Sequence, residues 1–388
     1  MQVTISVAGR FHAFYLAQQL LKRGYLNQLI TSYPKFEVER YGIPKDRVSS
    51  VLIKEVLERG WQKIPFRIKN KWNPQYFILD TFDALASKSY RSSDICVAFS
   101  GAGLHTIRKA KKMGAVTILE RGSSHMLYQR NILQEEYERL GLVFRETHPK
   151  IVEKELLEYE EADYISIPSR FVKQTFLEKG ISAEKLLHVP YGVHLDEFTQ
   201  KPKNDSVFRV IYAGAMSIRK GVHYLLQAFS ELNLPGSELL LIGGKTDEMS
   251  HFFQKYRGSF RWVDHIPQRH LFKHYSQGSV FALMSIEEGL AMVQLQAMAC
   301  GLPVICTTNT GGEDIIRDGI DGYIIPIRDI ERLKEKLLYL YQNPEKIIEM
   351  GKRAKERVCN RFTWDDYGEK IINEYDKIYS NSQFHSRK

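Results

Sequence analysis

The stretch Ser285–Gly312, SIEEGLAMVQLQAMACGLPVICTTNTGG, decides the fold. The run just before it, VFALMS, reads as a buried strand. An acidic loop carrying Glu288 follows. Then comes a helical pattern, LAMVQLQAMAC, that stops at a Gly-Leu-Pro turn. A second β-branched run, PVICTT, and a glycine-rich turn close the segment. Strand, loop, helix and strand in this order make a βαβ unit with parallel strands. A loop between a strand's carboxyl end and a helix start is suited to hold a polar ligand.

The alternation extends outward in both directions. FRVIYAGA (208–215) leads to a helix from about Gly221 to Leu232, followed by ELLLIGG, VDHI, VFALMS, PVICTT and GYIIP. In the first half the strand candidates are VTISVA, DICVAF, AVTILE, YISIPS and LLHVPY, with helical runs such as AFYLAQQLLKRG and LHTIRKAKKMG between them. Between the halves, DEFTQKPKNDSVF is polar, contains Pro202 and lacks periodicity, which marks a linker. Three helical stretches, the last WDDYGEKIINEYDKIY, close the chain. The expected architecture is α/β, with doubly wound domains over 1–198 and 206–362 facing a cleft. A helix over 363–380 is expected to cross back onto the first domain.

The bulk numbers agree. A chain of 388 residues, 43% hydrophobic, suits two domains of roughly 150–200 residues each. Residues 1–150 carry 24 Lys and Arg against 13 Asp and Glu, an excess of +11, so about −2 of the net +9 falls on the rest. A basic first half points to an anionic partner or to a generally basic protein. Cys96, Cys300 and Cys306 sit in apolar runs, and with Cys359 they show no CxxC spacing, so the four read as small buried hydrophobes in a reducing compartment. The first residues show no signal-peptide pattern, and no apolar run approaches ~18 residues. A cytoplasmic protein is expected, with peripheral contact to the inner membrane face.

Five segments carry the chemistry. In GAMSIRKG (214–221), Arg219 and Lys220 stand where a helix begins, either as a diphosphate site or as solvated charges. In the opening stretch, Glu288 in the loop and Gln296 about two turns into the helix are either surface polar residues or acceptors for a ligand's hydroxyls. ERGSSHMLYQ (120–129) follows a strand; His125 there is either functional or structural, with Glu120, Arg121 and Ser124 near enough to orient it or bind a substrate. In VAGRFHAF (7–14), Gly9 permits close backbone approach, and Arg10 and His12 could meet an anion. RGWQKIPFRIKNKWNPQYF (59–77) interleaves bases and aromatics. It suits an anionic membrane surface, ranked above single-stranded nucleic acid, or a helix pair covering the sheet. There is no DxD in a loop and no His/Cys cluster with ligand spacing, so neither a metal nor a cofactor is expected.

SIRKGVHYLLQAF, IPQRHLFKHYSQGSVFALMSIEEGLAMVQLQAMACGLPVI and GGEDIIRDGIDGYIIP resemble, in order and spacing, the nucleotide-sugar-binding domain of glycosyltransferase family 4. PSRFVKQTFLEKGISAEKLLHVPYGVHLDEF resembles the segment before it, and together these cover about residues 162–329. The resemblance implies the GT-B fold of two Rossmann-like domains and a retaining, metal-independent transfer from a nucleotide sugar to a glycolipid or surface-polysaccharide acceptor. It implies that Lys220, with Arg219 beside it, neutralises the phosphates, that Glu288 faces the sugar, and that His125 contacts it from the other domain. Gly214, Pro267, Gln296 and the N–H groups of Met292 and Val293 would bind the nucleotide sugar. Gly9, Arg10, His12 and Arg121 would serve the acceptor.

Three departures stand out. Gln296 replaces a second glutamate, Ala215 an arginine, and Ala291 a glycine. The glutamine keeps an accepting oxygen but loses a charge-assisted grip of about 1–2 kcal/mol. These changes read as tuning of a working site. The alternatives are a non-catalytic nucleotide-sugar-binding subunit and an epimerase of the same fold, for which no acid/base carboxylates are identified.

Overall fold

The computed structural model describes residues 1–64 and 73–386. The first sheet contains β1 (Val3–Val7), β2 (Leu26–Thr31), β3 (Val48–Ser50), β4 (Ile95–Phe99), β5 (Val116–Glu120), β6 (Tyr164–Ile167) and β7 (Leu186–His188), in the order β3-β2-β1-β4-β5-β6-β7. The second contains β8 (Phe208–Ala213), β9 (Ser237–Ile242), β10 (Arg261–Val263), β11 (Val280–Leu283), β12 (Val304–Thr307) and β13 (Gly322–Ile325), in the order β10-β9-β8-β11-β12-β13. Neighbouring strands pair in parallel throughout. Helices cover both faces, so central strands such as β1, β8 and β11 are buried along their whole length. Strand order reverses between β1 and β4 and between β8 and β11. Crevices for ligands open at such points.

β2 and β3 escape the sequence reading. Asn27 and Gln28 interrupt the apolar run of β2, yet Gln28 is fully buried because its amide donates to Ser49 Oγ and the Ser89 carbonyl, both at 2.8 Å. β3 is only three residues long. VDHI is not a strand as a unit: the strand is Arg261–Val263, which pairs with Leu240–Ile242 of β9.

The last helix, Trp364–Ser386, returns to the first domain. Trp364 stacks on Tyr15 with ring centroids 4.3 Å apart, Lys22 pairs with Asp365 at 2.8 Å, and Tyr367 and Tyr375 are buried. The chain therefore passes between the domains twice. At the second crossing a side chain on Gly192 would lie 2.5 Å from the Thr363 carbonyl, so only glycine lets the segments touch. Cys96, Cys300 and Cys306 are buried free thiols, but Cys359 is exposed, contrary to its reading as a buried hydrophobe, because it lies on the outer face of helix Pro344–Arg361 beside the buried Val358. No helix among the described residues is long and apolar enough to cross a membrane. Of the basic-aromatic segment, Phe66, Arg67, Lys69, Lys71 and Trp72 lie outside the described residues.

Candidate active site between the two domains

The loops after β8, β9 and β11 and the start of helix Met292–Ala299 line a cavity of about 700 Å³. Gly214, Lys220, Pro267, Glu288, Met292, Val293 and Gln296 all border it, and Arg10 reaches it from the first domain. Its size is that of a small-molecule site. Lys220 Nζ contacts Glu288 Oε1 directly. Burial and the nearby Arg219 push the Lys220 ammonium below its ordinary value, while Glu287 pulls the other way. Gln296 is 5% exposed, and its Oε1 is buried without a hydrogen-bond partner. The helix is capped by Ala291 at φ −73°, a conformation alanine adopts freely, so its exchange for glycine brings no strain. Ala291 has no side-chain oxygen, which leaves first-turn N–H groups for a ligand.

The adjacent Glu287 faces the other way. It is fully buried and accepts from Ser124 N at 2.9 Å, Ser124 Oγ at 2.7 Å and Gln129 Nε2 at 2.7 Å, all in the first domain. Arg219 Nε completes the set at 2.9 Å and also donates to the Glu287 carbonyl at 3.1 Å. Burial raises the Glu287 carboxyl, but Arg219, Gln129 and Ser124 outweigh it and hold it below the usual range. Arg219 therefore lies close enough to Lys220 to lower its ammonium, but it does not turn its own charge toward the cavity in which the phosphates are expected. Its guanidinium is spent on Glu287 and on Ser123 Oγ at 3.3 Å, and it does not border the cavity. A side chain on Gly289 would meet the Gly122 carbonyl oxygen at 1.8 Å, so glycine there lets the two domains close. A second bridge lies at Glu136, which accepts from His223 (3.1 Å), Tyr224 (2.7 Å) and Arg328 (2.6 Å) of the second domain.

The remaining first-domain candidates divide. Arg10 is exposed, borders the cavity and donates to the Tyr41 hydroxyl. The Gly9 carbonyl accepts from Thr31 Oγ1 at 2.9 Å. His12 is buried against Glu120, with Nε2 and Oε2 3.0 Å apart, between the rings of Phe99 and Tyr191. Arg121 is buried in an ion pair with Glu155 at 2.8 Å, which leaves it no free face for an acceptor. His125 caps helix Met126–Arg139, accepting from Leu127 N at 3.2 Å, and packs on Tyr159 and Phe176. It borders a separate hollow with Leu156 and Lys179, not the cavity that holds Lys220 and Glu288. His125 and Arg121 are thus not placed for the sugar and the acceptor as expected, because the first caps a helix and packs on aromatic rings while the second is held by Glu155.

Burial, with Arg121 and Lys179 nearby, pushes the His125 imidazole down to about 4. Between pH 6.5 and 4 the unfolded chain binds the extra proton, so stability falls as pH falls through this window. Relative to His125→Asn, which keeps a capping acceptor, the wild type is expected to lose on the order of 3 kcal/mol from pH 6.5 to 4. Urea unfolding of both proteins across that range checks it; a constant difference would show that the imidazole is not held neutral.

Glu287, Gln129, Glu136, His223 and Arg328 went unrecognised in the sequence, because nothing local distinguishes a charge aimed across a domain interface from a solvated one. Two adjacent glutamates in a tight loop are the only trace. Among the described residues no cluster of three or more His, Cys, Asp or Glu is arranged to hold a metal.

Residues 195–357 match the family model of the Glycosyl transferases group 1. The chain is 24% identical over 236 residues to a GDP-mannose-dependent alpha-(1-6)-phosphatidylinositol monomannoside mannosyltransferase of Mycolicibacterium smegmatis, covering 54% of this chain and 61% of that one. It is 28% identical over 196 residues to the capsular polysaccharide biosynthesis glycosyltransferase CapM of Staphylococcus aureus, covering 49% and 51%. The chain spans about half to three fifths of the length of such relatives. In fold it is similar to a sucrose-phosphate synthase of Thermosynechococcus elongatus (TM-score 0.73, 18% identity, covering 98% of this chain and 100% of that one). It is likewise similar to the Anabaena protein HepE solved with UDP and glucose (TM-score 0.70, 14% identity, 97% and 100%). The two parallel-sheet domains are those of the GT-B fold.

Proposed function

We propose, on the premise that residues 195–357 are a group 1 glycosyl transferase domain, that the chain moves a sugar from a nucleotide-diphosphate sugar to a glycolipid or surface-polysaccharide acceptor. Configuration is retained and no metal takes part. The observation that carries the reading is Gln296. A buried acceptor without a partner costs about 1–3 kcal/mol, and a ligand hydroxyl would satisfy it. On this reading Gln296 accepts from the nucleotide's ribose, Glu288 from the sugar, and Pro267 and Gly214 border the base and sugar. Lys220 and the N–H groups of Met292 and Val293 stabilise the charge that develops on the leaving diphosphate. Arg10, rather than Arg219, supplies the second cation. The acceptor approaches along Gly9 and Arg10. His12, Arg121 and His125 position the loops behind them.

The mannosyltransferase and capsule relatives support a lipid-linked or polysaccharide acceptor. The basic first half supports work at the cytoplasmic face of a membrane. Closure by Glu287 and Glu136 would exclude water from the transfer.

A thermal-shift panel of UDP-, GDP-, ADP- and dTDP-sugars on wild type and Gln296→Glu tests this. One base is expected to stabilise the wild type by mass action. Gln296→Glu should bind the same nucleotide sugar about tenfold tighter, yet be less stable when empty because a buried carboxylate then lacks a partner. No shift in either protein would overturn the reading. A shift in the variant alone would favour a non-catalytic subunit.

A further inference from the structure

At the opposite pole of the second domain, below the amino ends of its strands, lies a cavity of about 1150 Å³, larger than the cleft cavity. The linker roofs it: Gln200–Val207 runs over a floor made by Phe208, Leu302, Tyr341, Ile347 and Ile348. Ile348 is 75% exposed at its rim. Four lysines border it, Lys201, Lys203, Lys352 and Lys355, and none of their ammonium groups is in an ion pair among the described residues. Lys203 Nζ donates to the Val207 carbonyl at 2.6 Å and Ser279 Oγ at 2.8 Å, and Lys355 Nζ to Gln200 Oε1 at 3.2 Å. The single carboxylate on the border, Asp205, is already bound to Arg209 at 2.9 Å. Tyr275 also borders the cavity. It is fully buried, and its hydroxyl has no hydrogen-bond partner.

An apolar floor and a ring of positive charge without carboxylate partners define a complementary ligand. The floor asks for hydrocarbon and the lysines for an anion. We propose that this cavity binds a single acyl chain ending in a carboxylate or phosphate. The chain lies on Leu302, Ile347 and Ile348, and the head group meets Lys201 and Lys352. The site is independent of the cleft. Because its roof is the interdomain linker, occupancy ties residues 200–207 to the second domain.

Calorimetric titration of the full-length protein with dodecanoate, below its micelle concentration, tests the site. Dodecanol serves as the neutral control and butyrate as the short anionic one. Dodecanoate is expected to bind at one site, and both controls at least about tenfold more weakly. Lys201→Gln/Lys352→Gln and, separately, Ile348→Glu should each weaken dodecanoate about tenfold or more without lowering the unfolding temperature, because these side chains are on the rim. Dodecyl phosphate against dodecanoate distinguishes the head groups. The proposal is overturned if dodecanoate does not bind, if dodecanol binds equally well, or if the rim variants bind it as the wild type does.

Discussion

Replacement of Lys220 by alanine is expected to lower kcat/KM for nucleotide-sugar consumption by about 10²- to 10³-fold. On the proposed reading the leaving diphosphate carries its charge into a cavity whose cationic border is Lys220 and Arg10. Arg10 is exposed and already shared with Tyr41, so it cannot take over for a largely buried ammonium. Lys220 rests on Glu288; on the proposed reading a bound nucleotide sugar draws it between that carboxylate and a phosphate. Alanine removes the phosphate contact and also leaves Glu288 unpaired, and the two losses are separable. If the effect came only from the stranded carboxylate, Lys220→Ala would cost nothing further in a Glu288→Gln background. A further loss of less than about threefold in that background would sink the assigned role. The thermal shift by the nucleotide sugar should vanish in both variants that lack Lys220.

The second large effect is on architecture. Glu287→Ala is expected to cost about 3–5 kcal/mol, because it strands Arg219 and removes the acceptor of Ser124 and Gln129 at once. The cost falls on the contact between domains, so the separation of the two domains should grow in solution scattering even where each sheet stays folded. Glu287→Gln keeps two accepting lone pairs and should lose less. Acid should mimic the alanine variant. The Glu287 carboxyl is held below its usual range, so its stabilisation is complete above the ordinary carboxylate pKa and is lost as pH falls through the depressed value. If Glu287→Ala unfolds within about 1 kcal/mol of wild type and scatters identically, the bridge is incidental to closure.

The Arg219 outcome separates what is local from what is not. That two cations follow a strand and precede a helix is written in GAMSIRKG, and Lys220 does border the cavity. That Arg219, one residue earlier, turns toward Glu287 depends on where Ser123, Ser124 and Gln129 of the other domain lie, far away in sequence. The same holds for His125. A histidine in the loop after a strand reads in sequence as either functional or structural, and here it caps the next helix and packs against Tyr159 and Phe176.

By itself the sequence determined the alternation of strands and helices, the two parallel sheets, the linker, and the second-domain wall of the cavity, from Gly214 and Lys220 to Glu288, Met292 and Gln296. These follow from periodicity, glycine placement and residues close along the chain, all of which act over one βαβ unit. Only the tertiary structure decided that Arg10 is the cation offered by the first domain, that Arg219 and Glu287 hold the domains together, that Gln296 keeps an unsatisfied oxygen, and that Tyr275 lies under a lysine-rimmed hollow. The physical reason is that burial and partnership of a polar group are set by surfaces brought together from distant parts of the chain. A charge in a loop carries no local mark of whether water, a ligand or another domain will satisfy it.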